Sequence, residues 1–264
     1  MTNLLGFTKQ DMRTVLHLVA TDLHDRHLGS VLGILWAIFL PLMTLCVYAF
    51  VFGFLFKARL PGAETTLSYT IWMISGLGPW LAFTESMISG TNSVWAHAGI
   101  VKNVPMNTDI LPVVGCLMGI VQLVVSMLFV IVLMIADGNP PTVHALYLVL
   151  HVAAQFLFVM SLCYSLSAIA VFLRDLSQVL PNLLMIAMFL TPIFYNIEMM
   201  PGPLRMINEV SPLYIISDGY RTALVDHQLP PFWHLPYLLA VTAVLGYGGL
   251  TFFRRMRGHF DSAL

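Results

Sequence analysis

From Val31 to Phe56 the chain carries no charged residue. At about 1.5 Å of helical rise per residue, such a run is long enough to cross a hydrocarbon core of roughly 30 Å with some tilt. Asp25-Arg26-His27 stand close before it, and Lys57 and Arg59 follow it. A backbone crossing lipid must satisfy its own hydrogen bonds, so this stretch is predicted to be a membrane-spanning helix. Any fold of the chain must be built around it.

The rest of the composition agrees. Of 264 residues, 58% are hydrophobic and 9% charged, against about a quarter charged in a soluble domain. The first residues mix polar and apolar types without a small-residue cleavage pattern, so no cleaved signal is expected. No basic patch points to nucleic acid. Cys46, Cys116 and Cys163 all fall inside apolar runs and read as packing residues. The nine histidines have no metal-ligand spacing.

In residues 8–27, Met12, Val15, Leu16, Val19 and Leu23 recur at helical spacing, with Arg13, His17, Asp22 and Asp25 off that face. Thr8 followed by Asp11 is an N-cap signal. The segment reads as an amphipathic helix lying in the membrane interface. Further spans are predicted over 67–90, 110–136, 145–173, 179–195 and 238–253, giving six with 31–56. A loop is expected over 91–109, with a short helix from Asn92 to Val101. Residues 196–236 are punctuated by prolines, yet Leu213–Val225 is too apolar for a free loop and too short to cross, as in re-entrant segments. With both termini placed in the cytoplasm, eight of the 12 Lys and Arg fall on that side. The chain reads as one all-α integral membrane domain.

None of Lys9, Lys57 and Lys102 completes a Gly-Lys-Ser/Thr phosphate cradle, so ATP cannot bind by that route. Ion-coupled transport leaves acids or histidines within spans; the candidates are Glu85, read as paired or snorkelling near the cytoplasmic interface, and His151, read as an outer-interface residue. Tyr48, Phe52 and Phe56 share a face of the first span, and Trp72 and Trp80 lie on the second. Rings can stack on the apolar faces of sugars, and they also pack or form interfacial belts.

Arg26-His27-Leu28-Gly29-Ser30-Val31-Leu32-Gly33-Ile34-Leu35-Trp36, followed by Pro41 and Tyr48-Ala49-Phe50-Val51-Phe52-Gly53, resembles the start of the ABC-2 type permeases that export polysaccharides. The likeness continues in order through Ser75-Gly76-Leu77-Gly78-Pro79-Trp80, Lys102-Asn103-Val104-Pro105, Ile110-Leu111-Pro112, Phe172-Leu173-Arg174-Asp175-Leu176, Thr191-Pro192-Ile193-Phe194-Tyr195, Met200-Pro201, Ser211-Pro212-Leu213-Tyr214 and Tyr220-Arg221. Arg174-Asp175 and Thr191–Tyr195 are closer to the O-antigen and teichoic-acid exporters than to capsule permeases. Two places depart from the family: Met106-Asn107-Thr108-Asp109, where more basic charge is usual, and Ser211-Pro212, where Asn-Pro is common.

The resemblance implies a homodimer in a bacterial inner membrane, with a glycan path along its interface. Two copies of a separate ATPase would carry ATP-Mg on the cytoplasmic side, and this chain would bind no cofactor and do no covalent chemistry. By the same resemblance, Asn92–Val101 would be the coupling helix, with Trp95, His97 and Lys102 meeting the ATPase, and Leu204–Val225 a re-entrant pair at the outer mouth. Arg26 would meet a lipid-linked pyrophosphate, with Tyr48, Phe52, Phe56, Trp72 and Trp80 along the path. The alternatives are an ABC-2 exporter of a drug or lipid, and an ion-coupled carrier.

Overall fold

The structure is a computed structural model that describes residues 7–26, 29–56, 65–103 and 106–263. Every regular element among them is helical. The expected loop charges Lys57 and Arg59, and His27 and Pro105, lie outside the described residues.

Helix α1 (Lys9–Asp25) begins at the expected cap: the Thr8 side chain accepts from the Asp11 backbone N–H at 3.1 Å, and Asp11 accepts from the Thr8 N–H at 2.7 Å. Its Val15 is buried against Ile110 and Val114. The first long rod, Gly33–Leu55, starts as a 3-10 turn, continues as α2 (Trp36–Tyr48) past Pro41, and ends in a widened π stretch over Ala49–Leu55. It leaves most of its circumference exposed.

Helix α3 (Thr66–Ala96) is the axis of the molecule. It is buried along most of its length and packs against α5 (Leu111–Leu117), α6 (Gly119–Ala136), α7 (Tyr147–Phe172), α8 (Leu176–Leu190) and α10 (Pro212–Leu224). A short α4 (Ala98–Asn103) follows it. Helices α9 (Gly202–Glu209) and α10 form a short pair, α9 largely exposed and α10 inserted among α3, α7 and α11 (His234–Met256). The chain closes with α12 (Phe260–Ala263).

Two ends can be distinguished. One, here the proximal end, gathers α1, α4, the start of α5, the α7–α8 turn and the end of α11. The distal end gathers Thr65, the α6–α7 turn, residues 191–200 and the α9–α10 pair.

Among the described residues, four helical rods are long and apolar enough to cross a membrane: Gly33–Leu55, Thr108–Ala136, Val143–Phe172 and His234–His259. The 31-residue α3 is long enough but more polar, and α8 has 15 residues. Several expected boundaries move. The second predicted span does not stop at Gly90, because residues 91–96 continue α3, and the helix breaks at His97 instead. The expected short helix over Asn92–Val101 is thereby divided between α3 and α4. The predicted 179–195 segment begins earlier, at Leu176, and ends at Leu190; Thr191 is extended, φ -85° and ψ 135°, as the residue before Pro192 prefers. The last rod starts at His234, since Pro236 is tolerated in a first turn.

The core is held by close backbone approach as much as by large side chains. Ser86 and Gly90 on α3 face Gly115 and Gly119 on the neighbouring rod, a small-residue seam of the kind that lets helices approach in lipid. The Ser86 hydroxyl donates to the Cys116 carbonyl at 2.6 Å. Beside it, the Gln155 amide donates to the Pro79 carbonyl at 3.0 Å, and the Tyr220 hydroxyl donates to Gln155 Oε1 at 2.6 Å. These bonds tie α10 and α7 to the middle of α3.

Candidate functional site

The polar groups that the fold does not consume as core packing lie at the two ends. At the proximal end, residues 81–96 of α3 present one face to α1 and α2. Arg26, just past α1, reaches this face: its Nη1 is 2.5 Å from Glu85 Oε1, and its Nη2 donates to Ser89 Oγ at 2.7 Å. Ser89 in turn donates to Glu85 at 2.8 Å, closing a three-member ring. The Arg26 and Glu85 side chains are 43% and 35% exposed, so neither charge is locked in the interior. Glu85 is therefore a paired residue, as the sequence indicates.

Grooves open on both sides of this pair. One, of about 310 Å³, has walls of Leu40, Pro41, Leu81 and Val121, with Thr44, Thr84 and Gln122 among its polar members beyond the pair. The other, of about 450 Å³, includes Asp22, Asp25, Ser89, Asn92 and His97.

Further along α3 is the elbow to α4. Trp95 Nε1 donates to the Ala170 carbonyl of α7 at 3.0 Å, and the Arg174 guanidinium lies 4.2 Å from the ring centroid. His97 is 7% exposed; its Nδ1 is 2.9 Å from the Ser93 carbonyl and its Nε2 3.2 Å from Asp22 Oδ1. A carbonyl and a carboxylate both accept, so this geometry asks both ring nitrogens to donate, which is the imidazolium. The Asp22 hydrogen bond accordingly raises the His97 pKa above its ordinary value, against the opposing effect of burial.

A raised histidine pKa means that the contact contributes fully below about pH 6.5 and fades as pH rises through the folded-state value. The hydrogen-exchange protection factor of α1, with the intrinsic base-catalysed rate divided out, is expected to fall across that upward interval, and His97→Gln to remove this fall. An α1 protection factor flat from about pH 6 to 8.5 in the unaltered protein would contradict this.

Of the three residues expected to meet an ATPase, Trp95 and His97 are thus turned onto the chain's own α7 and α1, and Lys102 on α4 is exposed. They share one elbow. Asp109, in the segment that departs from the family pattern, is buried and takes Arg254 at 2.7 Å and Arg257 at 3.0 Å. The acid clamps the end of the last rod to the start of the Thr108–Ala136 rod.

At the distal end, Tyr48 and Phe52 stack on Phe194 at 5.8 and 5.2 Å, and Phe56 meets Phe52 edge-on. The three predicted path aromatics of the first rod therefore form one cluster that reaches the 191–200 segment. Trp72 also lies distally, its ring under the Arg221 guanidinium at 3.9 Å. Trp80 does not reach a surface: it is 3% exposed and packs in the core beside Phe83.

His151 is likewise buried rather than at an interface, with Nε2 donating to the Ile216 carbonyl at 3.0 Å. An inserted α10 covers it, an arrangement that the linear order of spans does not disclose.

In the sequence Arg221 stands out only as part of the Tyr220-Arg221 motif within the re-entrant Leu213–Val225 stretch. It is 3% exposed and donates to the carbonyls of Pro192 at 2.7 Å and Ile193 at 2.6 Å. A Cβ at Gly76 would lie 2.5 Å from its Nη2, so only glycine leaves room for it there. A polar cup of about 290 Å³ adjoins it, lined by Trp72, Asn196, Tyr214, Asp218 and Asp226. The sequence signal for this site was an arginine inside a stretch too apolar for a loop.

Among the described residues no group of three or more His, Cys, Asp or Glu side chains could hold a metal ion.

The model of the ABC-2 type transporter family matches residues 17–225. The chain is 27% identical over 252 residues to the O-antigen export system permease protein RfbA of Myxococcus xanthus, covering 95% of each chain. It is 25% identical over 244 residues to the protein of the same name from Klebsiella pneumoniae, covering 92% of each. The family match takes in both grooves of the proximal end, the elbow and the inserted α10. Together with a helical architecture whose rods can cross a membrane, it makes this chain a membrane-embedded transport subunit, and the chain belongs to the ABC-2 type transporter family.

Proposed function

We propose that the chain is the permease of an ATP-driven exporter that carries a lipid-linked polysaccharide, O-antigen or a glycan of similar build, across a bacterial inner membrane. The observation that carries this reading is similarity to O-antigen export permeases over nearly the whole length of both chains. In this reading α3 and α8 are spans alongside the four rods named above, making six. The short α9–α10 pair is re-entrant from the outer side, and the proximal end, with both termini, faces the cytoplasm.

Two copies pair, and each engages one copy of a separate ATPase that binds ATP-Mg. The exposed apolar faces of the first rod and α8, including Ile38, Phe54, Leu183 and Ile186, supply surface for lipid and for the second copy. The elbow that joins Trp95, Arg174 and His97 gives a stiff route from the cytoplasmic side into α3. Closure of the ATPases pushes on α4 and the α7–α8 turn. The motion passes through α3 to the first rods, which part to admit the glycan. Aromatic surface at Tyr48, Phe52, Phe56 and Trp72 suits a chain of sugars that must slide without being held.

Purification in mild detergent tests this. The tagged chain is expected to bring down a separate ATPase in equal amount, together with glycan. Lys102→Glu is expected to lower ATPase recovery several-fold while the permease itself remains folded and dimeric. If the chain purifies alone and transports in proteoliposomes with an ion gradient only, the exporter reading fails.

A further inference from the structure

Three features follow one another along a single face of α3. Leu81 and Thr84 border the apolar groove, Glu85 and Ser89 hold Arg26, and Asn92 and Ala96 border the polar groove. The order of polarity is therefore apolar wall, cation, hydroxyl- and carboxylate-rich wall. It matches the order of parts in an amphiphile whose tail is joined through a phosphate to a hydrophilic head. The Arg26 guanidinium at the junction is the group whose fork fits a phosphate in two parallel hydrogen bonds.

In the structure that fork is already occupied. Glu85 takes one arm and Ser89 the other. A partly exposed pair of this kind is weak, so a second anion can compete for it. The Ser89 hydroxyl, now spent on Glu85, can turn its proton to a phosphate oxygen. Thr84, which borders the same apolar groove, has an Oγ1 that is buried without a hydrogen-bond partner.

We propose that Glu85 is an internal stand-in for a lipid phosphate: it closes the Arg26 fork until the phosphate of an amphiphile, its tail along Leu40 and Leu81 and its head toward Asn92, displaces it. Glu85 is then a specificity residue. As a like charge beside the site, it repels any phosphate that lacks a tail to hold it there. The inference rests on the reading that the cargo is lipid-linked, but its test needs neither cargo nor ATPase.

The purified full chain in detergent micelles is titrated with phosphatidic acid, with phosphatidylcholine and with inorganic phosphate. Binding is followed by native mass spectrometry and thermal unfolding. Phosphatidic acid is expected to bind the unaltered chain, and Glu85→Gln to bind it roughly five- to tenfold more tightly, since a like charge close to the phosphate has been removed. Arg26→Gln should lose at least tenfold. Val121→Trp, which fills the apolar groove and leaves the ion pair intact, should lose a similar amount.

Inorganic phosphate and phosphatidylcholine should bind at least tenfold more weakly than phosphatidic acid. Unchanged or weaker phosphatidic acid binding by a folded Glu85→Gln would overturn the proposal, because an ordinary structural counter-ion gives that result. Full binding by Arg26→Gln or by Val121→Trp overturns it too, and the latter decides the matter should Glu85→Gln not fold. Inorganic phosphate binding as tightly as the lipid would overturn it as well, because Glu85 would then not exclude a phosphate that lacks a tail. If phosphatidic acid behaves as expected but no glycan is exported, the functional reading fails and this inference stands.

Discussion

Replacing Gly115 by valine is expected to abolish recovery of the folded chain. A Cβ at this position would lie 2.5 Å from the Ser89 carbonyl, 2.6 Å from Gly90 Cα and 2.7 Å from Gly90 N. These are backbone atoms of α3, so no rotamer change relieves the clash. The helices would have to separate, and the 2.6 Å bond from Ser86 to the Cys116 carbonyl would go with them. Overpacking a well-filled core costs about 1–3 kcal/mol where side chains can give way; here they cannot, and the cost should exceed that range. The measurement is the monodisperse fraction in size-exclusion chromatography with a thermal midpoint. Gly248→Ala is the matched control, because nothing lies within 4 Å of its added carbon. It should leave both readings unchanged. A Gly115→Val chain as stable as the control would mean that α3 and α5 do not approach as described.

The second large effect is expected at Arg221. Arg221→Met keeps bulk and removes every donor, leaving the Pro192 and Ile193 carbonyls without their short hydrogen bonds. An abandoned buried acceptor costs about 1–3 kcal/mol, so two make a loss of about 3 kcal/mol or more. The ring contact with Trp72 is lost as well. Arg221→Lys should fall between the two, because an ammonium retains charge but cannot reach both carbonyls with a planar fork. Thermal unfolding in detergent, with protease susceptibility of the 191–200 segment, reads this out. Equal stability of Arg221→Met and the unaltered chain would show that the arginine is not the pin between α10 and that segment.

These two residues also mark where reading the sequence stops. The first rod was legible because absence of charge over Val31–Phe56 is a local property, and lipid imposes one solution on it. The cap at Thr8 was legible because both partners lie within four residues. Membership of the family was legible through the order of short motifs.

Gly115 could not be recognised as a contact from its own surroundings, since what makes it necessary is Gly90, on another helix. Likewise Trp95 and His97 looked like residues offered to a partner. The structure turns them toward Ala170 and Asp22, whose distance in the chain hides the contact. The boundary errors have the same origin. Polar residues 91–96 read as a loop entering a separate short helix at Asn92, yet burial against the α7–α8 turn lets α3 continue to Ala96.

Sequence by itself thus determined that this is an all-helical membrane chain, where its apolar rods lie, and to which transporter family it belongs. Hydrophobic run length, charge placement and ordered motifs all act through near neighbours or through the solvent. Only the tertiary structure decided that α10 inserts beside α3, that Arg221 is buried on carbonyls, and that Glu85 occupies the Arg26 fork between an apolar and a polar groove. Each of those depends on groups far apart in the chain meeting within hydrogen-bond distance, and that is fixed by how closely the helices can pack.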